Sequence, residues 1–169
     1  MTSKIDPGKR RNEKSVDKKD VEILKLLQED ANMATADIAE RVNMSQSPCW
    51  RRINQFEKDG VIRQKVCLLD RNKLGMELVV FASINLNTIN RNTLEEFEKR
   101  IVTFPEVVEC YTMTGMIDYM LKIVAKDIQH YEQFIRNNLA EIPNIREIHS
   151  HVSVTEIKMT TQLPLETQL

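Results

Sequence analysis

The chain has 169 residues, 41% of them hydrophobic and 29% charged, with a formal net charge of −1. That apolar fraction excludes a disordered chain, and no apolar run approaches the roughly 18–20 residues that cross a bilayer. Cys49, Cys67 and Cys110 are odd in number, widely spaced and without a CxxC pair. Neither a disulfide framework nor a metal site is therefore expected, and a reduced, cytoplasmic setting is.

The charge is unevenly divided. Residues 1–73 hold 16 Lys+Arg against 12 Asp+Glu, and residues 74–169 hold 8 against 13. The basic half is expected to meet a polyanion and the acidic half to do something else.

Residues 1–15 read as a flexible basic tail, with Lys4, Lys9, Arg10, Arg11 and Lys14 against Asp6 and Glu13. It is either a solubilising leader or an arm that contacts phosphates. Asp17 then caps a first helix, with Val16 and Val21 as a hydrophobic staple and Val21, Leu24 and Leu27 as its inward stripe. A short second helix is predicted from Thr35, its cap, to Val42, with Ile38, Ala39 and Val42 inward. Asn43, Met44 and Ser45 make a tight turn. A third helix starts near Ser47 and Pro48, buries Cys49, Ile53 and Phe56 at helical spacing, and stops at Gly60. Residues 61–69 read as a strand or an extended linker, and residues 70–75 as a turn.

The second half changes period. Leu78 to Leu86 is a strand. Thr93 opens a helix with the capping-box pattern Thr-Leu-Glu-Glu, and Leu94, Phe97, Ile101 and Phe104 face inward before Pro105. Val107 to Thr114 and Tyr119 to Ala125 are strands joined around Gly115. Asp127 caps a helix with Ile128, Tyr131, Ile135, Leu139 and Ile142 inward. The last strand lies between Ile145 and Met159. The order β-α-β-β-α-β predicts a ferredoxin-like domain.

Residues 35–60 have the geometry of a helix-turn-helix, whose second helix enters the DNA major groove. With Cys49, Ile53 and Phe56 inward, the outward set is Ser45, Gln46, Ser47, Arg51, Arg52, Gln55 and Lys58. Arg bonds guanine, Gln bonds adenine, and Ser reaches phosphates or bases. The alternative is an ordinary solvated helix face. No catalytic residue, cofactor motif or complete metal-ligand set is evident. In the second half, the Gly115 loop is the candidate ligand region. Glycine permits close backbone approach, and the Asp118 carboxylate suits a ligand ammonium; otherwise Asp118 merely caps the turn or pairs with a nearby Lys or Arg. Met113, Met116 and Met120 around the loop suit either a pliable pocket or core filling.

The stretch from Asp20 to Gly75, above all SPCWRRI…FEKDGVI, resembles the DNA-binding half of the leucine-responsive, or Lrp/AsnC, family of prokaryotic regulators. Gly115-Met116-Ile117-Asp118-Tyr119-Met120-Leu121 resembles that family's G-x-x-D-Y-x-L motif, and the ending from Glu156 to Leu165 is similar to that of some members. The likeness covers about residues 16–165. It implies an α+β chain: a flexible tail (1–15), a winged-type helix-turn-helix (16–62), a linker (63–75), a ferredoxin-like, RAM-type domain for ligand sensing and oligomerisation (76–159) and a C-terminal tail (160–169). It implies a sequence-specific regulator of transcription that binds double-stranded DNA, responds to a small molecule such as an amino acid, and forms homodimers that assemble to tetramers or octamers.

Beside Gly115, a candidate from its loop, the resemblance places amino-acid response on Asp118, Asn138, Ala140, His151, Val152 and Ser153, in a pocket between dimers. Asn138, His151 and Ser153 depart from common family types. So do Gln46, where many members have Pro, and Trp50, where many have Leu. Trp50 either packs between helices or stacks on the sugar–phosphate backbone. Two other readings stay open at this level. One is a tetrapyrrole-processing decarboxylase on the same architecture, with His149 and His151 as acid–base groups. The other is a DNA-wrapping architectural protein.

Overall fold

A computed structural model describes residues 16–165; the tail expected over residues 1–15 lies outside the described residues, as do residues 166–169. The described chain divides into two compact units, residues 16–68 with 158–165, and residues 69–157.

The first unit holds α1 (Lys18–Glu29), α2 (Thr35–Arg41) and α3 (Gln46–Lys58). Asp17 caps α1 as the sequence indicates. Its carboxylate accepts from the Asp20 N–H at 2.8 Å, and the Asp20 carboxylate accepts from the Asp17 N–H at 3.0 Å. This reciprocal pair satisfies two donors that a helix start leaves bare. The start of α2 differs from expectation. The extended residue before it is Ala34, with no side-chain cap bond, so Thr35 is already helical. Asn43 turns the chain with φ of 51°, and Gly60 ends α3 with φ of 74°.

The inward stripes meet in one core of Ile23, Leu24, Ile38, Ala39, Val42, Cys49, Ile53 and Phe56. Residues 61–68 carry no strand, so the linker of the two expectations is the one observed. Residues 160–165, read from the sequence as a tail, are part of this unit. The Leu163 N–H donates to Gln28 Oε1 at 2.6 Å, Gln28 Nε2 donates to the Leu163 carbonyl at 3.4 Å, and Leu165 packs on the helical core.

The second unit is a sheet of β1 (Leu78–Leu86), β2 (Val107–Thr112), β3 (Tyr119–Ala125) and β4 (Ile145–Val152), with α4 (Arg91–Ile101) and α5 (Ile128–Phe134). Strand order is β2-β3-β1-β4 and every pairing is antiparallel. This is the ferredoxin-like βαββαβ arrangement. Val80, Ala82, Ile84 and Leu86 of β1 alternate toward the helices, as do Tyr119, Leu121, Ile123 and Ala125 of β3, and they pack with Phe97, Ile101, Phe104, Tyr131, Phe134 and Leu139. The period of two along a strand then sends Val79, Phe81, Ser83 and Asn85 to the opposite face, together with Met120, Lys122 and Val124.

Three local expectations are corrected. α4 is capped by Asn90, and Thr93 is the third helical residue, returning its hydroxyl to the Asn90 N–H at 3.1 Å. The capping box is real but begins three residues earlier, because Asn90 competes better for the cap. Ile128 is exposed rather than inward, since it is the first residue of α5 and precedes the turn that meets the sheet. Beyond Phe134 the helix widens into a π-helical turn over Ile135–Leu139, where the Ala140 N–H bonds the Ile135 carbonyl at 2.8 Å.

Candidate nucleic-acid interface and effector region

The outward face of α3 follows from its buried face. With Cys49, Ile53 and Phe56 in the core, Ser45, Gln46, Ser47, Arg51, Gln55 and Lys58 are all exposed. Arg51 and Lys58 form no ion pair with another described residue. Gln55 donates to Asp59 Oδ1 at 2.7 Å.

Arg52 departs from the expected set. Its Nη1 donates to Asp17 Oδ2 at 2.6 Å and to Asp20 Oδ1 at 2.5 Å. It sits on the flank of α3 that turns toward the start of α1, and the two capping carboxylates there claim its charge. The pairing holds the Asp17 carboxyl below its ordinary value, through the Arg52 hydrogen bond first and the Asp20 N–H second. The same bonds raise the Arg52 guanidinium. Helix spacing alone put Arg52 on the outer surface; the acidic pair three residues apart at Asp17 and Asp20 was the signal for its partner.

Trp50 is exposed on α3, at 58% of its full accessibility. Of the two placements the sequence left open, packing between helices is not observed. Asn54, one turn further on, has a buried Nδ2 with no hydrogen-bond partner among the described residues.

In the second unit, Asp118 does close the loop before β3. Its Oδ2 accepts from the Leu86 N–H at 2.7 Å, its N–H donates to the Ile84 carbonyl at 3.0 Å, and its carbonyl accepts from Met113 at 2.9 Å. Gly115 has φ of 107°, a value that disfavours any side chain. Met116 is almost fully exposed, so it fills no core.

The expected ligand residues do not converge within one chain. Asp118 is bonded at the Leu86 end of β1, whereas β4 pairs Val152 with Val80 and His151 with Phe81. From Val80 to Leu86 the strand rises roughly 20 Å. Asn138 and Ala140, at the π-helical turn, precede the start of β4, whose Ile145 pairs with Leu86. They therefore share the Asp118 end, and His151, Val152 and Ser153 lie at the other. A groove of about 420 Å³ in this unit is walled by Glu96, Lys99, Arg100 and Glu141 among others and includes none of the expected ligand residues.

His149 and His151 do share one face of β4, opposite Ser83 and Phe81. Both are exposed, and His149 Nε2 lies 3.5 Å from Glu147 Oε2. Among the described residues no three His, Cys, Asp or Glu side chains gather closely enough to hold a metal ion. Likewise, no described helix is long and apolar enough to cross a membrane.

Comparison with known proteins agrees with these two units. Residues 16–63 match the family model for a winged helix-turn-helix DNA-binding domain, and residues 79–163 match the Lrp/AsnC ligand-binding domain. The transcriptional regulator AzlB of Bacillus subtilis (strain 168) is 38% identical over 151 residues, spanning 89% of this chain and 96% of that one. The crystal structure of an AsnC-family transcriptional regulator from Agrobacterium tumefaciens superposes with a TM-score of 0.86 at 44% identity, covering 90% of this chain and 99% of that one. A transcriptional regulator from Neisseria meningitidis, solved as a complex with L-methionine, gives 0.87 at 32% identity, covering 92% and 100%. The helix-turn-helix unit and the ferredoxin-like sheet are thus shared with proteins of one kind, and the chain belongs to the Lrp/AsnC family of DNA-binding transcriptional regulators.

Proposed function

We propose that α3 reads operator DNA through Ser45, Gln46, Ser47, Arg51, Gln55 and Lys58, and that Arg52 serves the fold instead. The observation that carries this reading is the contrast within one helix. Arg52 is paired with two carboxylates, while Arg51 and Lys58 project free of ion pairs among the described residues. Unpaired cations on an exposed helix face are what phosphates and guanine edges require. The test is binding to a duplex selected from random DNA. Affinity should fall with salt by about 0.9 log units per log unit for each phosphate neutralised, and Arg51→Ala should weaken binding by about 1–3 kcal/mol. Salt-independent binding without sequence preference would reject the reading.

The effector is an amino acid held between chains. Two features support this: the likeness to a regulator that binds L-methionine, and the roughly 20 Å that separates Asp118 from Val152 along β1. A pocket that needs both ends must draw them from different copies. A homodimer is the minimum such assembly, and the sheet face away from the helices, with Phe81 40% exposed, offers it an apolar surface. Light scattering gives the assembly, and a thermal-shift screen of the amino acids gives the effector, because a ligand bound only by the folded state raises stability. A monomer that is unshifted by every amino acid would refute this part. As a DNA regulator it acts in the cytoplasm.

A further inference from the structure

The exposed tryptophan on α3 has no role in the interface described so far. Trp50 is the one tryptophan of the chain and is 58% exposed. It stands one helical turn after Gln46 and one before Asn54, next to Arg51, in the half of α3 that begins at Gln46. An indole has a large apolar face and a single N–H, a donor that accepts nothing. Left in water, that face is unfavourable by an amount proportional to its area. It adds nothing to the core of Cys49, Ile53 and Phe56, which closes without it. A duplex groove is complementary on both counts. Its walls present only acceptors at the phosphates, its sugars are apolar, and thymine carries a methyl group into the major groove. The N-terminal half of a reading helix is also the part that goes deepest.

We infer that Trp50 is a DNA-contacting residue, burying its indole on the apolar surface of the operator beside the bases or phosphates that Arg51 engages. The inference rests on α3 being the reading helix. It goes beyond that reading, which assigns to α3 only hydrogen-bonding and charged side chains. The contact adds affinity that is independent of counterion release, since no cation is involved.

A single tryptophan makes the experiment direct. The full chain is titrated with a duplex selected from random DNA by the unmodified protein, and the indole emission is recorded. Trp50→Ala and Trp50→Phe are then compared with Arg51→Ala at several salt concentrations. Emission should change on saturation with the duplex. Trp50→Ala should weaken binding about tenfold with an unchanged salt slope, and Trp50→Phe should recover part of the loss. Arg51→Ala should lower the slope. Replacing thymine by deoxyuridine removes the C5-methyl: a weaker complex only with Trp50 present assigns the contact to thymine, and no change assigns it to deoxyribose. Unchanged emission on a duplex that binds, together with unchanged affinity of Trp50→Ala, overturns the inference while leaving the reading helix intact. Emission that shifts with protein concentration in the absence of DNA also overturns it, because the indole then belongs to a contact between chains. If the protein selects no duplex at all, both the reading helix and this contact fail.

Discussion

Arg52 and Asp17 join α3 to the first helix of its unit: Nη1 of the arginine lies 2.6 Å from Oδ2 of the residue that caps α1. The same nitrogen reaches Asp20, the other half of the capping box. One guanidinium therefore ties α3 to both ends of a reciprocal cap. Its energetic weight is divided. The Asp20 side chain is largely buried and the Asp17 side chain is half exposed, so the first contact carries more than the second, which solvent screens.

Removing this tie should act on stability and on DNA affinity in a recognisable way. Arg52→Ala should destabilise the helix-turn-helix unit by about 1–2 kcal/mol, because it strips a charged donor from two carboxylates. DNA affinity should fall with it, but the slope of log affinity against log salt should stay as it is. Arg51→Ala should lower that slope by about 0.9 if Arg51 neutralises a phosphate. Salt titrations of both variants on one duplex test this. A lower slope for Arg52→Ala would move that residue back to the DNA.

Acid should loosen the same tie. The Asp17 carboxyl is depressed in the folded chain, so it contributes stability above its unfolded value of 3.8 and loses it as pH falls through the lower folded value. Denaturant unfolding between neutral pH and about pH 3 should show this loss in the natural chain. Arg52→Ala should show less of it, since the principal cause of the depression is gone. Equal acid sensitivity in the two proteins would mean that other carboxylates dominate.

The C-terminal segment should be needed by the DNA-binding unit. Gln28 and Leu163 exchange hydrogen bonds, and Leu165 packs on the helical core. Leu165→Asp places a charge where an apolar side chain is half buried, and should cost about 1–3 kcal/mol. Hydrogen exchange should quicken in α1 and leave the strands unaltered. Equal protection of α1 in both proteins would mean that the segment is detached in solution.

Asp118 allows fold and ligand to be separated. Asp118→Ala leaves the Leu86 N–H without its acceptor and should cost about 1–3 kcal/mol. Asp118→Asn keeps an oxygen there and should cost less. If the carboxylate also meets an effector ammonium, both variants should lose the thermal shift given by an amino acid. A full shift in Asp118→Asn would confine this residue to closing the loop.

Much of this was legible in the chain because it depends on local spacing. The Asp17 cap, the apolar set Cys49, Ile53 and Phe56, and the strand over Tyr119–Ala125 all follow from neighbours within a turn or a pleat. Helix periodicity also put Arg51 and Lys58 outside. It could not tell them from Arg52, because all three sit off the buried stripe and only the position of α1 distinguishes them. Trp50 was undecidable for the same reason: a large amphipathic side chain beside a helix is buried or bare depending on what passes next to it.

The sequence by itself determined the element order, the two-unit plan and the family, since each is written in periodicity, caps and motifs read in order along the chain. Tertiary structure alone decided which cation on α3 is spent on Asp17 and Asp20, where residues 158–165 pack, and that Asp118 and Val152 occupy opposite ends of β1. Those are distances between residues far apart in sequence. They are set by how helices cross and strands register, and no local propensity encodes them.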